Sequence, residues 1–370
     1  MFTLCKDAVP VVTPRVGAET SSGFLATYPR GAYTTARSVN GCKVFEFDAH
    51  VQRIAQSCSL MLGDQAPSYP SLMDEASMRR RMGAAMAACI KSFSRKYPSN
   101  NKDIKLVALV VWGDEEEGQE EGTVYCHASQ LVGTASTPRS SAVAVAANGG
   151  GDAVPKPVIV EVRGHPRNNA LAKDSQWVKE RESIVNLALP ETNEVIMHGE
   201  DGELLEGTQT NFYAIINGAV HTAADGILEG TVRKLILEVC AEEGIEVVLQ
   251  PPRVQDIYLW EGVLISSTSR LAMPVDTVVV PQEGVRTSRS DPSWSFKQEG
   301  MIICCINLGH MRVPLRQAYA PFRVACCSEM SHASVTASQL QRMRRRRHLI
   351  AAPSFNLLTR CTAPSLMWCS

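Results

Sequence analysis

Residues 172–211 read AKDSQWVKERESIVNLALPETNEVIMHGEDGELLEGTQTN, and the arrangement of the whole chain depends on this stretch. Lys173 follows an apolar, strand-like run and precedes a predicted helix, which Asp174 or Ser175 can cap. The stretch ends with an acid, Glu206, in a glycine-containing turn that leads into the strand FYAII. A lysine and an acid on the connections of an α/β pattern are candidates for chemistry as well as for structure.

The first 132 residues predict an N-terminal α/β domain whose first 30 residues are irregular. GAYTTAR (31–37) and FEFDAHVQRIAQS (45–57) indicate a hairpin that runs into a helix. A second helix, from Ser71 to Ser94, carries Met and Ala at helical spacing, a pattern more typical of a core face than of a cofactor site.

A second α/β domain is predicted over 157–284, after a Ser-, Ala- and Gly-rich linker at 133–156. Asn217-Gly218 is the clearest hairpin signal in the chain. Gly230-Thr231 marks the start of a helix that Gly244 ends. The fold class predicted is therefore α/β with two domains.

Composition limits the classes of protein that this chain can be. At 370 residues it can bury a sizeable core. No window is apolar enough to cross a bilayer, and the N-terminus lacks the apolar region of a secretory signal. We therefore expect a cytoplasmic protein with no membrane partner. Location in an organelle is the alternative. The twelve cysteines include no C-x-x-C pair, so no metal site is expected.

The last segment, 285–370, differs in charge from the rest of the chain. It holds twelve Lys and Arg against three Asp and Glu, so it carries about +9 while the body carries about −10. It shows no sustained helical or strand period, which favours a disordered or non-homologous tail. Arg344 to Arg347 could form a nucleic-acid patch, but the aromatic residues of a single-strand binder are missing, so no nucleic-acid partner is expected.

Five motifs in order resemble the fold-type IV, pyridoxal-phosphate-dependent family. That family holds the branched-chain and D-amino acid aminotransferases and aminodeoxychorismate lyase. The motifs, which cover roughly residues 30–280, are GAYTTAR with FEFDAHVQRIAQS, AKDSQW, LLEGTQTNFY with its NG hairpin, GILEGTVR and LISSTSRLAMP. The resemblance implies a small N-terminal domain, a larger C-terminal domain with a barrel-like β core, pyridoxal 5′-phosphate as cofactor, and a homodimer.

The resemblance also assigns roles to single residues. It makes Lys173 the Schiff-base lysine and proton carrier, and Glu206 the acid that faces the pyridine nitrogen. Arg53 matches the arginine that grips the cofactor phosphate, and Tyr33 matches an aromatic residue near cofactor and substrate. Without the resemblance, these would be a lysine beside a helix cap, a solvated hairpin acid, an exposed helix charge and an ordinary strand tyrosine.

A phosphate cup is implied by the remaining matches. The backbone N–H groups of Gly230, Thr231 and Val232 would lie at a helix N-terminus, where an anion is favoured. Hydroxyls would come from the three residues Thr208, Ser267 and Thr268. The family commonly reads G-[IV]-T-R, whereas this chain reads G-T-V-R at 230–233, so the hydroxyl is displaced by one position.

The implied activity is that of a class IV aminotransferase, acting on an amino acid and a 2-oxo acid through Lys173. A lyase of the aminodeoxychorismate type is an alternative, because the same cofactor residues serve both reactions. A non-catalytic relative that keeps the fold is a third. Trp177 and Arg181, spaced i,i+4, are structural or substrate-facing, and no arginine cluster for a substrate carboxylate is evident from the sequence.

Overall fold

The computed structural model describes residues 1–100, 102–113, 122–131 and 157–281, with the backbone of 301–305 and 367–368. The helices are α1 (Ser21–Thr27), α2 (Phe47–Leu62), α3 (Pro70–Met73), α4 (Glu75–Lys96), α5 (Trp177–Glu180), α6 (Glu182–Val185) and α7 (Thr231–Glu242), with 3-10 helices at Gly63–Ser68 and Val254–Leu259. The strands are β1 (Phe2–Lys6), β2 (Val9–Pro10), β3 (Ala32–Val39), β4 (Lys43–Val44), β5 (Ile104–Val111), β6 (Thr123–Gln130), β7 (Ile159–Val162), β8 (Glu194–His198), β9 (Leu204–Gly207), β10 (Asn211–Ile216), β11 (Ala219–His221), β12 (Val247–Val248), β13 (Trp260–Ser267), β14 (Leu271–Pro274), β15 (Thr277–Pro281), β16 (Met301–Cys305) and β17 (Met367–Trp368).

The first sheet is antiparallel and has the strand order β17-β4-β3-β5-β6-β1-β2. One face packs on α2 and α4, where Met78, Met82 and Met86 are fully buried beside Leu106. The methionine stripe is therefore core, as its spacing predicts. The other face packs on α1 through a cluster that includes Phe24 and Tyr33.

The second sheet follows the order β12-β11-β10-β9-β8-β7-β15-β16, with β13 and β14 continuing from β10. Asn211 on β10 pairs with Glu206 on β9 and with Ser266 on β13. The turns that follow β9 and β13 therefore lie side by side. This register gathers the candidate residues of both turns at one end of the sheet.

Two local predictions in this sheet are confirmed. Asn217 and Gly218 both have positive φ, at 51° and 80°, and join β10 to β11 as a hairpin. These are the angles that a two-residue turn between right-twisted strands requires. The helix α7 begins directly after Gly230 and ends before Gly244, which has φ +66°.

The region around Lys173 differs from its predicted form. The single helix expected over 175–189 is two four-residue helices, α5 and α6, held by a mixture of i→i+3 and i→i+4 backbone bonds. Lys173 does not follow a strand closely, because β7 ends at Val162. Its backbone instead pairs with β3 of the first sheet: Tyr33 N donates to the Lys173 carbonyl at 2.9 Å.

The predicted linker, 133–156, lies outside the described residues, and so does most of the predicted tail. Within that tail, the backbone of β16 pairs antiparallel with β15, and that of β17 with β4. These two short strands occur where the sequence predicts none. Over the part of the chain that the structure describes, no helix combines the length and apolar character that a membrane span needs.

Candidate active site

Every residue to which the resemblance assigns a role, from Tyr33 to Thr268, lines one cleft. Its walls come from the first sheet and α2, from the segment that carries Lys173, and from the turns at the end of the second sheet. Residues separated by more than 200 positions thus meet at one surface, which is the geometry that a single site requires.

Lys173 is held from both sides of its backbone. Its N–H donates to the Ser57 hydroxyl of α2 at 3.0 Å, and its carbonyl accepts the bond from Tyr33. The side chain is half-buried, and Nζ lies 4.7 Å from the centre of the Tyr33 ring. These contacts fix where the amine lies in the cleft.

The surroundings of Lys173 favour a neutral amine. Burial lowers the pKa of Lys173 well below its ordinary value, and the charges of Arg53, Arg167 and Arg181 lower it further, whereas Glu206 opposes them. A neutral amine can act as a nucleophile or accept a proton, which an ammonium cannot. The lowered pKa of Lys173 therefore increases the fraction of its amine that is neutral at a given pH.

Glu206 forms a buried ion pair with Arg167, a residue that the sequence analysis missed. Arg167 Nε donates to Glu206 Oε1 at 2.9 Å, and the backbone N–H of Leu228 donates to Oε2 at 2.9 Å. Burial raises the pKa of the Glu206 carboxyl, while Arg167 and the Leu228 amide limit the rise. Each oxygen keeps a lone pair for a further donor.

The groups at the N-terminus of α7 are arranged as an anion-binding site requires. The Thr231 hydroxyl, and that of Thr210 in the turn opposite, are buried without a hydrogen-bond partner in the described structure. A Cβ on Gly230 would lie 2.0 Å from Asn211 Oδ1, so no side chain fits there. Arg53 Nη2 donates to the Glu229 carbonyl at 2.9 Å beside them, and burial lowers the pKa of Arg53 to about 10.

Unpartnered buried hydroxyls are rare in folded proteins and call for an explanation. Here the Thr231 hydroxyl lies at the N-terminus of the twelve-residue helix α7, and the Thr210 hydroxyl lies in the turn opposite, within the same cleft as Arg53. A phosphate group would accept hydrogen bonds from each of them. The residues present therefore fit the phosphate of pyridoxal 5′-phosphate, and the amine of Lys173 and the carboxyl of Glu206 fit its aldehyde and ring nitrogen.

A hydrogen-bonded network fixes the turns at this end of the sheet. The Thr208 hydroxyl donates to Glu194 at 2.7 Å, and Arg270 donates to the other oxygen of Glu194 at 2.9 Å. Trp177 Nε1 donates to the Thr208 carbonyl at 2.8 Å, and the Arg270 amide donates to the Ser267 hydroxyl at 3.2 Å. The Thr208 side chain thus orients its turn and is already paired with Glu194.

The cleft is strongly cationic, which the sequence did not indicate. Besides Arg53, Arg167 and Lys173, its lining contains Lys105 from β5 and Arg181 from the end of α5. No arginine cluster is evident from the sequence, because the three arginines come from segments far apart along the chain. Trp177 and Arg181 both face the cleft, as their i,i+4 spacing allows.

Comparisons with known proteins agree with this fold. The family described as Amino-transferase class IV matches residues 31–278. A branched-chain aminotransferase structure from Thermoproteus uzoniensis, solved with norvaline, has a TM-score of 0.54 at 16% identity and covers 89% of this chain and 96% of its own. A hypothetical aminotransferase from Mycobacterium tuberculosis, in its PLP-bound form, has a TM-score of 0.53 at 21% identity, over 78% of this chain and 93% of its own.

A sequence relative adds a shorter match. A putative branched-chain-amino-acid aminotransferase of Methanocaldococcus jannaschii is 32% identical over 85 residues, which are 22% of this chain and 30% of that protein. The structural likenesses are too low in identity to show more than the fold. The family match covers more than half of the chain, and the chain belongs to the class IV aminotransferase family. Its resemblance to fold-type IV enzymes and its α/β fold class are thereby confirmed.

Proposed function

We propose that this protein is a pyridoxal 5′-phosphate-dependent transaminase that exchanges an amino group between an amino acid and a 2-oxo acid. One observation supports the proposal most strongly: the amine of Lys173 lies in the same cleft as the Glu206–Arg167 pair, and burial and neighbouring arginines lower its pKa well below the ordinary value. A lysine that served only as a surface charge would be solvated and protonated.

The cofactor would be held by two groups of residues. Its phosphate would bind Arg53, the backbone N–H groups of Gly230 to Val232, and the hydroxyls of Thr231 and Thr268. Its ring nitrogen would face Glu206. When bound, the cofactor supplies an electron-accepting ring that stabilises negative charge on the α-carbon of a substrate.

The chain's own groups would do the remaining work. Glu206 would place its carboxyl opposite the ring nitrogen, and the charge of Arg167 favours the ionised form of that carboxyl. Lys173 Nζ would carry the proton from the substrate α-carbon to the cofactor carbon that receives the amino group. The Tyr33 ring limits the positions that Nζ can occupy.

Borohydride trapping tests this assignment. The full-length chain is incubated with pyridoxal 5′-phosphate, reduced with borohydride, digested, and mapped by mass spectrometry. We expect the pyridoxyl label on the peptide that contains Lys173, and no label there in Lys173→Gln. A label on another lysine of the cleft, such as Lys105, would contradict the proposal.

A time course tests the reaction itself. Oxo-acid release from an amino acid is followed with and without an added 2-oxo acid. We expect sustained turnover only with the acceptor, because a transaminase returns to its starting form by passing the amino group on. Sustained release without an acceptor would instead indicate a lyase.

A further inference from the structure

Two histidines lie side by side outside the cleft. His165 follows β7, and His198 ends β8, which pairs in parallel with β7. Their ring centres are 5.7 Å apart, with 52° between the ring planes. The strand pairing brings them together, because the His198 amide donates to the Gly164 carbonyl at 3.0 Å. Neither histidine lines the cleft, and the proposed chemistry uses neither of them.

His198 offers one ring nitrogen as a ligand. Its Nδ1 lies 2.9 Å from the Gly199 carbonyl oxygen. A carbonyl oxygen can only accept a hydrogen bond, so Nδ1 carries the proton, and Nε2 of the neutral ring keeps its lone pair. Histidines that bind metal ions are usually oriented by such a bond from the other ring nitrogen.

His165 can complete a pair of ligands. It is exposed, and neither of its ring nitrogens is hydrogen-bonded to a residue that the structure describes. With a zinc–nitrogen bond of about 2.1 Å, two imidazoles at a tetrahedral angle have their ring centres roughly 5.3 Å apart. The observed 5.7 Å is close to that value. A small rotation of the exposed ring therefore brings both nitrogens within reach of one ion.

The ligand type decides which ion fits. Imidazole nitrogen suits zinc, copper and nickel, whereas magnesium and calcium select oxygen ligands. Among the described residues, no group of three or more His, Cys, Asp or Glu side chains could hold a metal ion. The histidine pair would therefore supply two ligands and leave the other tetrahedral positions to water. Such a site binds an ion that exchanges with solvent rather than a permanent structural metal.

The position of the pair gives the site a consequence for the protein. His165 lies two residues before Arg167, whose guanidinium binds Glu206 and two backbone carbonyls directly before Lys173. An ion held by both histidines would link β8 to the start of the connection that runs from β7 to Lys173. That connection carries the amine of the proposed chemistry.

We propose that His165 and His198 form a zinc-binding site that fastens the connection between β7 and α5 to β8. The spacing of the cysteines does not reveal this site, because its ligands are histidines that the parallel strands bring together. The site lies outside the cleft, so its test requires no transaminase activity and does not depend on the proposed function.

Zinc titration of the full-length chain tests the proposal. Isothermal titration calorimetry with zinc chloride compares the wild type with His165→Gln and His198→Gln. The matched control is His221→Gln, because His221 is a partly exposed histidine of the same sheet, on β11. Differences between the variants and the wild type isolate this site from zinc binding by cysteines elsewhere in the chain.

We expect each variant of the pair to weaken zinc binding at this site about tenfold or more. The double variant should lose little more than either single variant, because one missing ligand already disables a shared site. The control should bind zinc as the wild type does. Wild-type zinc binding in either single variant, or an equal loss in His221→Gln, would overturn the proposal.

Chemical footprinting shows whether the two histidines share one ion. Diethyl pyrocarbonate modifies accessible imidazole nitrogens, and mass spectrometry measures the modification of each histidine with and without zinc chloride. We expect zinc to protect His165 in the wild type but not in His198→Gln, and to leave His221 unprotected in both. Unprotected His165 in the wild type, or protection that persists in His198→Gln, would refute a shared site. Circular dichroism verifies that each variant is folded.

Discussion

Arg167 and Glu206 form an ion pair at 2.9 Å with both side chains only 6% exposed. The same guanidinium donates to the carbonyls of Ala170 and Ala172, at 2.6 and 3.2 Å, directly before Lys173. One buried cation therefore ties the segment that carries the amine to the strand that carries the carboxylate. The distance between the two proposed reacting groups depends on it.

Replacing Arg167 by Met should destabilise the protein strongly. The change leaves Glu206 buried without its charge partner, which typically costs about 3–5 kcal/mol. Arg253→Met is the matched control, because Arg253 pairs with Glu203 while 54% exposed, and such a surface pair contributes about 0–1 kcal/mol. Urea unfolding measures both. Equal losses in the two variants would show that the Arg167 pair is no stronger than a surface pair.

Replacing Lys173 by Met should stabilise the cofactor-free protein near neutral pH, although it abolishes the proposed chemistry. Because burial and Arg53 lower the pKa of Lys173, the unfolded chain binds more protons than the folded chain between that lowered value and the ordinary one. Stability of the wild type therefore rises with pH across this window. The difference in unfolding free energy between Lys173→Met and the wild type should therefore shrink by up to about 1.4 kcal/mol for each pH unit within this window.

Thermal and urea unfolding of both proteins near pH 7 and near pH 9 measure this change. Lys179→Met serves as the control, because Lys179 is exposed. A stability difference between Lys173→Met and the wild type that does not change with pH would contradict the assignment of a lowered pKa to Lys173.

Replacing Thr231 by Val should leave stability unchanged or raise it by up to about 1 kcal/mol, because the buried hydroxyl has no hydrogen-bond partner among the described residues. Affinity for inorganic phosphate should fall severalfold, since the hydroxyl is proposed to bind it. Thr222→Val is the control and should lower stability by about 1–3 kcal/mol, because the Thr222 hydroxyl donates to the Phe212 carbonyl at 2.9 Å. Unaltered phosphate affinity in Thr231→Val would remove Thr231 from the phosphate site.

Replacing Gly230 by Ala should displace the start of α7. The new Cβ would lie 2.0 Å from Asn211 Oδ1, so the helix N-terminus or Asn211 must move. We expect affinity for pyridoxal 5′-phosphate to fall about tenfold or more, as measured by absorbance titration. Gly199→Ala is the control, because its Cβ would meet only the end of the flexible Glu203 side chain. Wild-type affinity in Gly230→Ala would show that this backbone does not bind the cofactor.

Much of the site could be predicted because its motifs are local. The start of α7 at Gly230 and the hairpin at Asn217-Gly218 are set by the conformational preferences of a few neighbouring residues. The helix expected after Lys173 was wrong in form: it is two short helices, and α5 packs against the first sheet and a turn of the second through contacts that helical periodicity does not encode.

The residues that sequence reasoning missed share one property: their partners are distant in the chain. Arg167 is 39 positions from Glu206, and Arg270 is 76 positions from Glu194. Nothing near Arg167 in the sequence distinguishes it from an exposed arginine. Its importance becomes visible only when the fold buries it, because a buried charge requires a partner.

By itself, the sequence predicted the hairpin at Asn217-Gly218 and the start of α7, and it selected Lys173 and Glu206 as candidates, because turns, caps and motifs act over a few residues. The tertiary structure alone decided that the pKa of Lys173 is lowered, that Glu206 is paired with Arg167, and that Lys105 and Arg181 face the same cleft. Burial and Coulomb interactions depend on distance in space, and neither can be read from separation along the chain.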